Sequence, residues 1–265
     1  MDAAPPHRGY VILGTPRCGS TYLCQLLAST HVLGKPAEYL DRTHLRDLAA
    51  DAAYSHPGHD IWEKIWAASR SDNGIHGIKA FYSQMRDGFA PREIHKNLLS
   101  LPIVFLTRND KLGQAISFAR ALQTSNWHTP GGDDLSRLRY NAGDIDYCLN
   151  QILHHEASLY RIFATNGITP LNLVCEDFIR EPEITVRRIG ALVGLLDIDL
   201  QPRSSLRIQR DAITAEWRER YVRERCDRES LSDLEVNNRW TRLGRKLTPF
   251  LRPLPSWRRW MFDVG

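Results

Sequence analysis

Residues 14–21 read "GTPRCGST" and follow the apolar run "YVIL" at 10–13. Two glycines separated by four residues, between a strand-like run and the helix-like "STYLCQLLAST" (20–30), have the spacing of a nucleotide-binding phosphate loop. A strand, a tight glycine turn and a helix start together present backbone N–H groups at the positive end of a helix dipole, and that favours an anion. In nucleotide triphosphatases a lysine comes next and reaches the β- and γ-phosphates, and the hydroxyl residue after it holds magnesium. Here Ser20 stands in the lysine position, Thr21 follows, and the nearby cation is Arg17, inside the loop. The cradle is present without the tool for a triphosphate, which points to a shorter anionic group. Glycine spacing alone also suits a plain strand-to-helix turn, so the rest of the chain has to decide.

Outward from the loop, short apolar runs alternate with helical periodicity. "HGIKAF" (76–81), "PIVFLT" (102–107) and "LNLVC" (171–175) read as three further strands. Helices are expected at 20–30, at 61–69 with Trp62, Ile65 and Trp66 on one face, and from about Asp110 to Gln123. A long one runs from Asp144 to Asn166, where Gly167 supplies a stop, and another starts at Pro182 in "PEITVRRIGALVGLL". This alternation predicts an α/β protein, a three-layer P-loop-like fold with a central, mainly parallel sheet flanked by helices. We read one domain over 1–230 and a basic, aromatic-rich tail over 231–265, in which Pro249, Pro253 and Pro255 forbid one continuous helix.

Charge and cysteine usage narrow the function classes. The net charge is +4, yet seven basic residues lie between Arg239 and Arg259 with no acid among them, leaving the rest of the chain at −3. A slightly acidic body without a recognition motif argues against nucleic acid. The five cysteines are scattered, with no Cys-x-x-Cys pair, so neither zinc nor a disulfide framework is signalled. With no signal-peptide core near the start and no apolar run of about 18 residues, the reading is a cytoplasmic chain with reduced thiols. The tail has two readings. Trp240, Trp257, Trp260 and Phe262 pack on the domain, or with the arginines they form a peripheral contact with an anionic membrane surface.

Two further stretches give the loop its meaning. In "FLTRNDKLGQAISFARA" a strand delivers Arg108 to its carboxyl end, where open α/β sheets bind ligands, and Ser117 follows in the next helix. In "LVCEDFIREPEITVRRIGALVGL" a strand runs into the acidic pair Glu176 and Asp177. With "TPRCGST", these stretches resemble sulfotransferases that use 3′-phosphoadenosine 5′-phosphosulfate (PAPS). "GKPAEYL" (34–40), "GIKAF" and "RIQRDAITAEWRERY" are similar to the mycobacterial trehalose sulfotransferase branch of the carbohydrate enzymes. The resemblance spans roughly residues 9–225. Cys175 stands where the family usually has tyrosine, and Pro16 where the trehalose enzymes carry a sugar-contacting glutamine.

The resemblance implies sulfuryl transfer from PAPS to a hydroxyl of a carbohydrate or glycolipid, without a metal, in a homodimer. Arg17, Cys18, Gly19, Ser20 and Thr21 would hold the 5′-phosphosulfate, and Arg108 and Ser117 the 3′-phosphate. Glu38 matches the branch's general base, with Lys35 and Tyr39 against the acceptor; Lys79 is either an aid to leaving-group charge or an ordinary surface lysine. Beside the loop's positive field Cys18 is expected to lean towards thiolate, although it matches a family serine and is not read as a nucleophile. Glu176 and Asp177 are read as capping or loop-fixing acids. Two other classes stand beside this reading: a P-loop kinase of small molecules, and a non-catalytic nucleotide- or membrane-binding module.

Overall fold

A computed structural model describes residues 8–50, 61–127, 138–198 and 212–226. Its centre is a four-stranded sheet of β1 (Gly9–Gly14), β2 (His76–Phe81), β3 (Ile103–Thr107) and β4 (Leu171–Val174), in the order β2-β1-β3-β4. Every neighbouring pair is parallel. β1, β2 and β3 are covered on both faces, which is why they read as largely apolar runs, while the edge strand β4 leaves Asn172 exposed.

Strand alternation then builds two cores. Tyr10, Ile12, Val104 and Leu106 face one layer, where α1 (Ser20–Ala28) and α9 (Pro182–Leu192) pack. Val11, Leu13, Ile78, Ala80 and Phe105 face the other, against α3 (Ile61–Ser69) and α7 (Ala142–Asn166). Each fully buried aliphatic or aromatic side chain contributes about 1.5–3 kcal/mol, so the strands anchor whatever their ends carry.

The ends matter most. In register, Gly14 stands beside Phe81 of β2 and Leu106 of β3, so three strands finish side by side. After β1 the chain goes to β2 on one side, then crosses back to β3 on the other. That reversal is a topological switch point, and open sheets bind ligands in the crevice outside it.

Observed helix ends differ from the expected ones for local reasons. α1 stops at Ala28 because the Ser29 and Thr30 hydroxyls turn back onto the carbonyls of Leu26 and Leu27. α9 stops at Leu192, just before Gly194 turns left-handed at φ 70°. α6 (Lys111–Thr124) begins after Asp110, whose carboxylate caps it by accepting from Gly113 N–H at 2.9 Å. Sequence periodicity did not disclose α2 (Arg42–Ala50), α4 (Tyr82–Gly88), α5 (Pro91–Ile94) and its following π-helical turn (His95–Leu99), α8 (Cys175–Arg180) or α10 (Ala212–Cys226). They are short or carry no apolar stripe.

Two compact units divide at residue 219. The first holds the sheet and its helices. Of the second, the described residues are the end of α10, where Arg220 and Glu224 pair at 2.9 Å one turn apart. The basic aromatic tail and the 230/231 boundary lie outside the described residues. Among those residues, no helix is long and apolar enough to cross a membrane.

Candidate active site

The loop between β1 and α1 turns on two left-handed residues, Arg17 at φ 65° and Gly19 at φ 88°. Gly19 has a second reason to be glycine: a Cβ there would meet Cys175 Sγ at 2.6 Å. Cys18 points inward. It is fully buried, and its N–H closes a turn on the Thr15 carbonyl at 3.3 Å. Burial pushes the Cys18 thiol up, against smaller opposing hydrogen bonds from the loop and the charge of Lys79. The thiolate expected from the loop's field is therefore corrected, because desolvation outweighs the field. The first N–H groups of α1, at Ser20 and Thr21, have no intrahelical partner by the geometry of a helix start.

Three separate elements converge on this loop. Arg17 Nε donates to Ser117 Oγ of α6 at 2.9 Å, and its Nη1 donates to the Trp127 carbonyl at 2.6 Å. Arg108, at the end of β3, reaches the Arg17 carbonyl at 3.4 Å. Arg17, Arg108 and Ser117 are thus brought together from positions a hundred residues apart. Gln114, wholly buried on α6, ties the loop down from within: its Nε2 donates to Thr15 Oγ1 at 2.9 Å and to the Pro16 carbonyl at 2.8 Å.

Arg108 is itself held among acids. Its Nη2 lies 3.4 Å from Asp110 Oδ2, and its Nε is 4.0 Å from Glu176. Glu176 accepts from the N–H groups of Asn109 and Asp110, both at 3.0 Å, so it fixes the loop after β3. Burial works against the Glu176 charge, but those two N–H bonds and Arg108 outweigh it and hold the carboxyl below its usual range. Asp177, the other member of the pair, is exposed and lies 3.7 Å from Arg180. Asp110 receives both its oxygens' partners from Arg218 Nη2 at 2.6 Å. Its carboxyl is held low as well: desolvation opposes the charge, and the Arg218 and Gly113 hydrogen bonds prevail.

On the other side of β1 stands Glu38. Its segment is stitched to β2 as a short parallel bridge, Ala37 beside Ile78, with Lys79 N–H donating to the Ala37 carbonyl at 3.0 Å. Gly34 permits the approach, at φ 73° and with a Cβ position only 2.5 Å from Gly77 N. The Glu38 carboxylate is one-fifth exposed and engaged on both oxygens. Lys79 Nζ sits 2.5 Å from Oε1, and Gln84 Nε2 donates to Oε2 at 2.9 Å. Lys79, read from sequence as either a surface lysine or a leaving-group aid, is almost wholly buried. Burial opposes its charge, but the charge of the Glu38 carboxylate and its hydrogen bond favour it, and the balance raises its pKa.

Tyr39 is buried, with its hydroxyl donating to the carbonyls of Lys35 and Ala68 at 2.7 and 3.0 Å. It fastens the Glu38 segment onto α3. Lys35 is exposed, with its N–H on the Ser69 carbonyl at 2.8 Å. Sequence reasoning missed Asp110, Gln114, Gln84 and Arg218. An Asp ahead of a helical run is a readable cap signal. Nothing in the arginine-rich stretch of α10 singles out Arg218. Among the described residues, no three His, Cys, Asp or Glu converge as a metal-binding group.

Comparison with known proteins places this geometry. The family model of Stf0 sulphotransferases matches residues 9–224, and the chain belongs to that family: it is a sulfotransferase. It is similar to the trehalose 2-sulfotransferase of Mycobacterium tuberculosis, 26% identical over 252 residues, covering 81% of this chain and 94% of the relative. The trehalose 2-sulfotransferase of Mycolicibacterium smegmatis is 27% identical over 254 residues, with the same coverage of 81% and 94%. Among solved structures, a sulfotransferase from Alicyclobacillus acidocaldarius aligns at a TM-score of 0.47 and 16% identity, over 82% of this chain and 95% of that one.

Proposed function

We propose that this member of the Stf0 family transfers a sulfuryl group from PAPS to a hydroxyl of a carbohydrate or glycolipid, with Glu38 as general base. The observation that carries the reading is the placement of Glu38 against β2, the neighbour of the strand that ends in the anion loop, with Arg108 and Ser117 closing the loop's other side. The relatives named trehalose 2-sulfotransferases support a sugar hydroxyl as the acceptor.

The residues suit such a donor. When bound, it supplies the sulfuryl group and leaves as a nucleoside bisphosphate. Arg17 and the N–H groups of Gly19, Ser20 and Thr21 offset charge on the 5′ side, where preorganised donors act most strongly. Arg108 grips the 3′-phosphate with a planar fork suited to phosphate oxygens, assisted by Ser117. Arg108 is already ordered by Asp110 and Glu176, so the phosphate replaces weak carboxylate contacts at 3.4 and 4.0 Å rather than recruiting a free side chain. Glu38 takes the proton of the attacking hydroxyl, on one of the lone pairs that Lys79 and Gln84 leave open. Lys79, beside the Glu38 carboxylate and near Cys24 and Cys18, keeps positive charge close to the loop, and the exposed Lys35 is available to the acceptor. Ser20 replaces the P-loop lysine because no γ-phosphate is moved.

Thermal melting tests the donor class. Adenosine 3′,5′-bisphosphate without magnesium, at a hundred times its Kd, should raise Tm by roughly 5–10 °C. ATP with magnesium should do much less. A shift with ATP and magnesium alone would replace this reading with a small-molecule kinase. Sulfuryl transfer from labelled PAPS to trehalose and to a panel of glycolipids then tests the acceptor. A bisphosphate-stabilised protein that transfers to none of them would refute the carbohydrate assignment.

A further inference from the structure

Gln84 lies outside the sequence motifs, yet its amide orientation is decided by its surroundings. Its Oε1 accepts from Phe81 N–H at 2.9 Å, closing the start of α4. A backbone N–H can only donate, so the carbonyl end of the amide must face it. The –NH₂ end therefore has to face Glu38, where it meets Oε2 at 2.9 Å. Lys79 occupies the other oxygen, and Lys79 and Phe81 belong to the same strand. Both carboxylate oxygens of Glu38 are thus referenced to the end of β2, one directly and one through Gln84.

We propose that Gln84 is a positioning residue for the general base: it fixes the plane of the Glu38 carboxylate and so aims its open lone pairs at the acceptor proton. This rests on reading Glu38 as the base. A carboxylate held only by Lys79 could swing about that single contact. With the second contact its free lone pairs point one way, and a base acts only within hydrogen-bond reach of the proton it removes. The other ionisable groups facing Glu38 are Lys79 from β2, Cys24 from α1 and His44 from α2. The Cys24 thiol is pushed up to about 12, mainly by burial, and stays neutral over the working range. The Nδ1 of His44 contacts the Glu38 carbonyl at 2.9 Å rather than its carboxylate.

The substitution Gln84→Glu separates this role from helix capping. Glutamate and glutamine cap a helix start from this position alike, so a purely structural Gln84 tolerates the change. If Gln84 positions the base, the change replaces a donor to Glu38 with a like charge. The readout is the split between turnover and binding: kcat for sulfuryl transfer, beside the Kd for adenosine 3′,5′-bisphosphate. The expected result is a kcat lowered by about tenfold or more in Gln84→Glu, and by a smaller factor in Gln84→Met, with bisphosphate affinity within about twofold of wild type in both. A kcat equal to wild type in both variants would overturn the proposal. Full turnover by Glu38→Gln would instead remove Glu38 as base, so the two failures are distinguishable.

Discussion

The two sides of β1 reach similar order by different means. On the β3 side, the anion loop is shaped by backbone: left-handed Arg17 and Gly19, the end of a strand, and a Glu176 carboxylate receiving two successive N–H groups. On the β2 side, Glu38 is held by side chains, a buried lysine and an amide 46 positions away. Backbone devices depend on short sequence spacings and can be read from a motif. Side-chain devices depend on which residues the sheet brings together. The turn of the anion loop is therefore a local property of the chain, whereas its Arg108, Ser117 and Gln114 partners and the whole base side are properties of the fold.

Removing the base without disturbing the loop gives the largest expected contrast. Glu38→Gln should lower kcat for sulfuryl transfer by about 10²–10⁴-fold, the usual contribution of a positioned base. The Kd for adenosine 3′,5′-bisphosphate, measured by calorimetry, should stay within about twofold, because Glu38 belongs to the other side. A parallel loss of bisphosphate affinity would mean that the two sides are not separable.

Arg108→Ala tests the converse. A charge-assisted hydrogen bond is worth about 1.5–3 kcal/mol, so bisphosphate affinity should fall roughly 10–150-fold. Affinity for adenosine 5′-monophosphate, which lacks the 3′-phosphate, should hardly change. Equal losses for the two nucleotides would move Arg108 from the 3′ to the 5′ side. Ser117→Ala is expected to cost about fivefold in bisphosphate affinity, the worth of one neutral hydrogen bond. It also releases Arg17 Nε, so a loss that extends to the monophosphate would place the serine's role in orienting Arg17.

How much of this was legible follows the same division. The strands were readable as apolar runs, most plainly β1 and β3, which the sheet buries on both faces, and the switch-point arginine was readable because Arg108 directly follows β3. The lysine-free loop could be interpreted from Ser20 alone. Glu38 was reachable only through resemblance to a family, since nothing in "PAEYL" foretells that Lys79 and Gln84 will meet it. Lys79 looked equivocal because one lysine in a strand-like run has no periodic signature of burial. Cys18 misled because proximity to a positive loop says nothing about solvent: its side chain turns inward, and desolvation decides its state.

The smallest predicted effect lies behind Arg108. Arg218 donates to both oxygens of Asp110, but their side chains are 39% and 37% exposed, so water screens the pair and its contribution should stay below about 1 kcal/mol. The sign with pH is nonetheless defined. The Asp110 carboxyl is lowered in the folded protein, with the Arg218 and Gly113 hydrogen bonds outweighing desolvation. A group depressed on folding stabilises fully above its unfolded value, near 3.9, and that contribution fades as pH falls through the lower folded value. Urea unfolding of wild type and Arg218→Ala should therefore differ at pH 7 and converge as the pH is lowered through the acid range. A gap that stayed constant down to pH 2 would show that Arg218 acts by packing its stem, not by charge. In that case the order of Arg108 would depend on Glu176 and the strand end alone, and the donor side would be as fully a backbone device as the loop it faces.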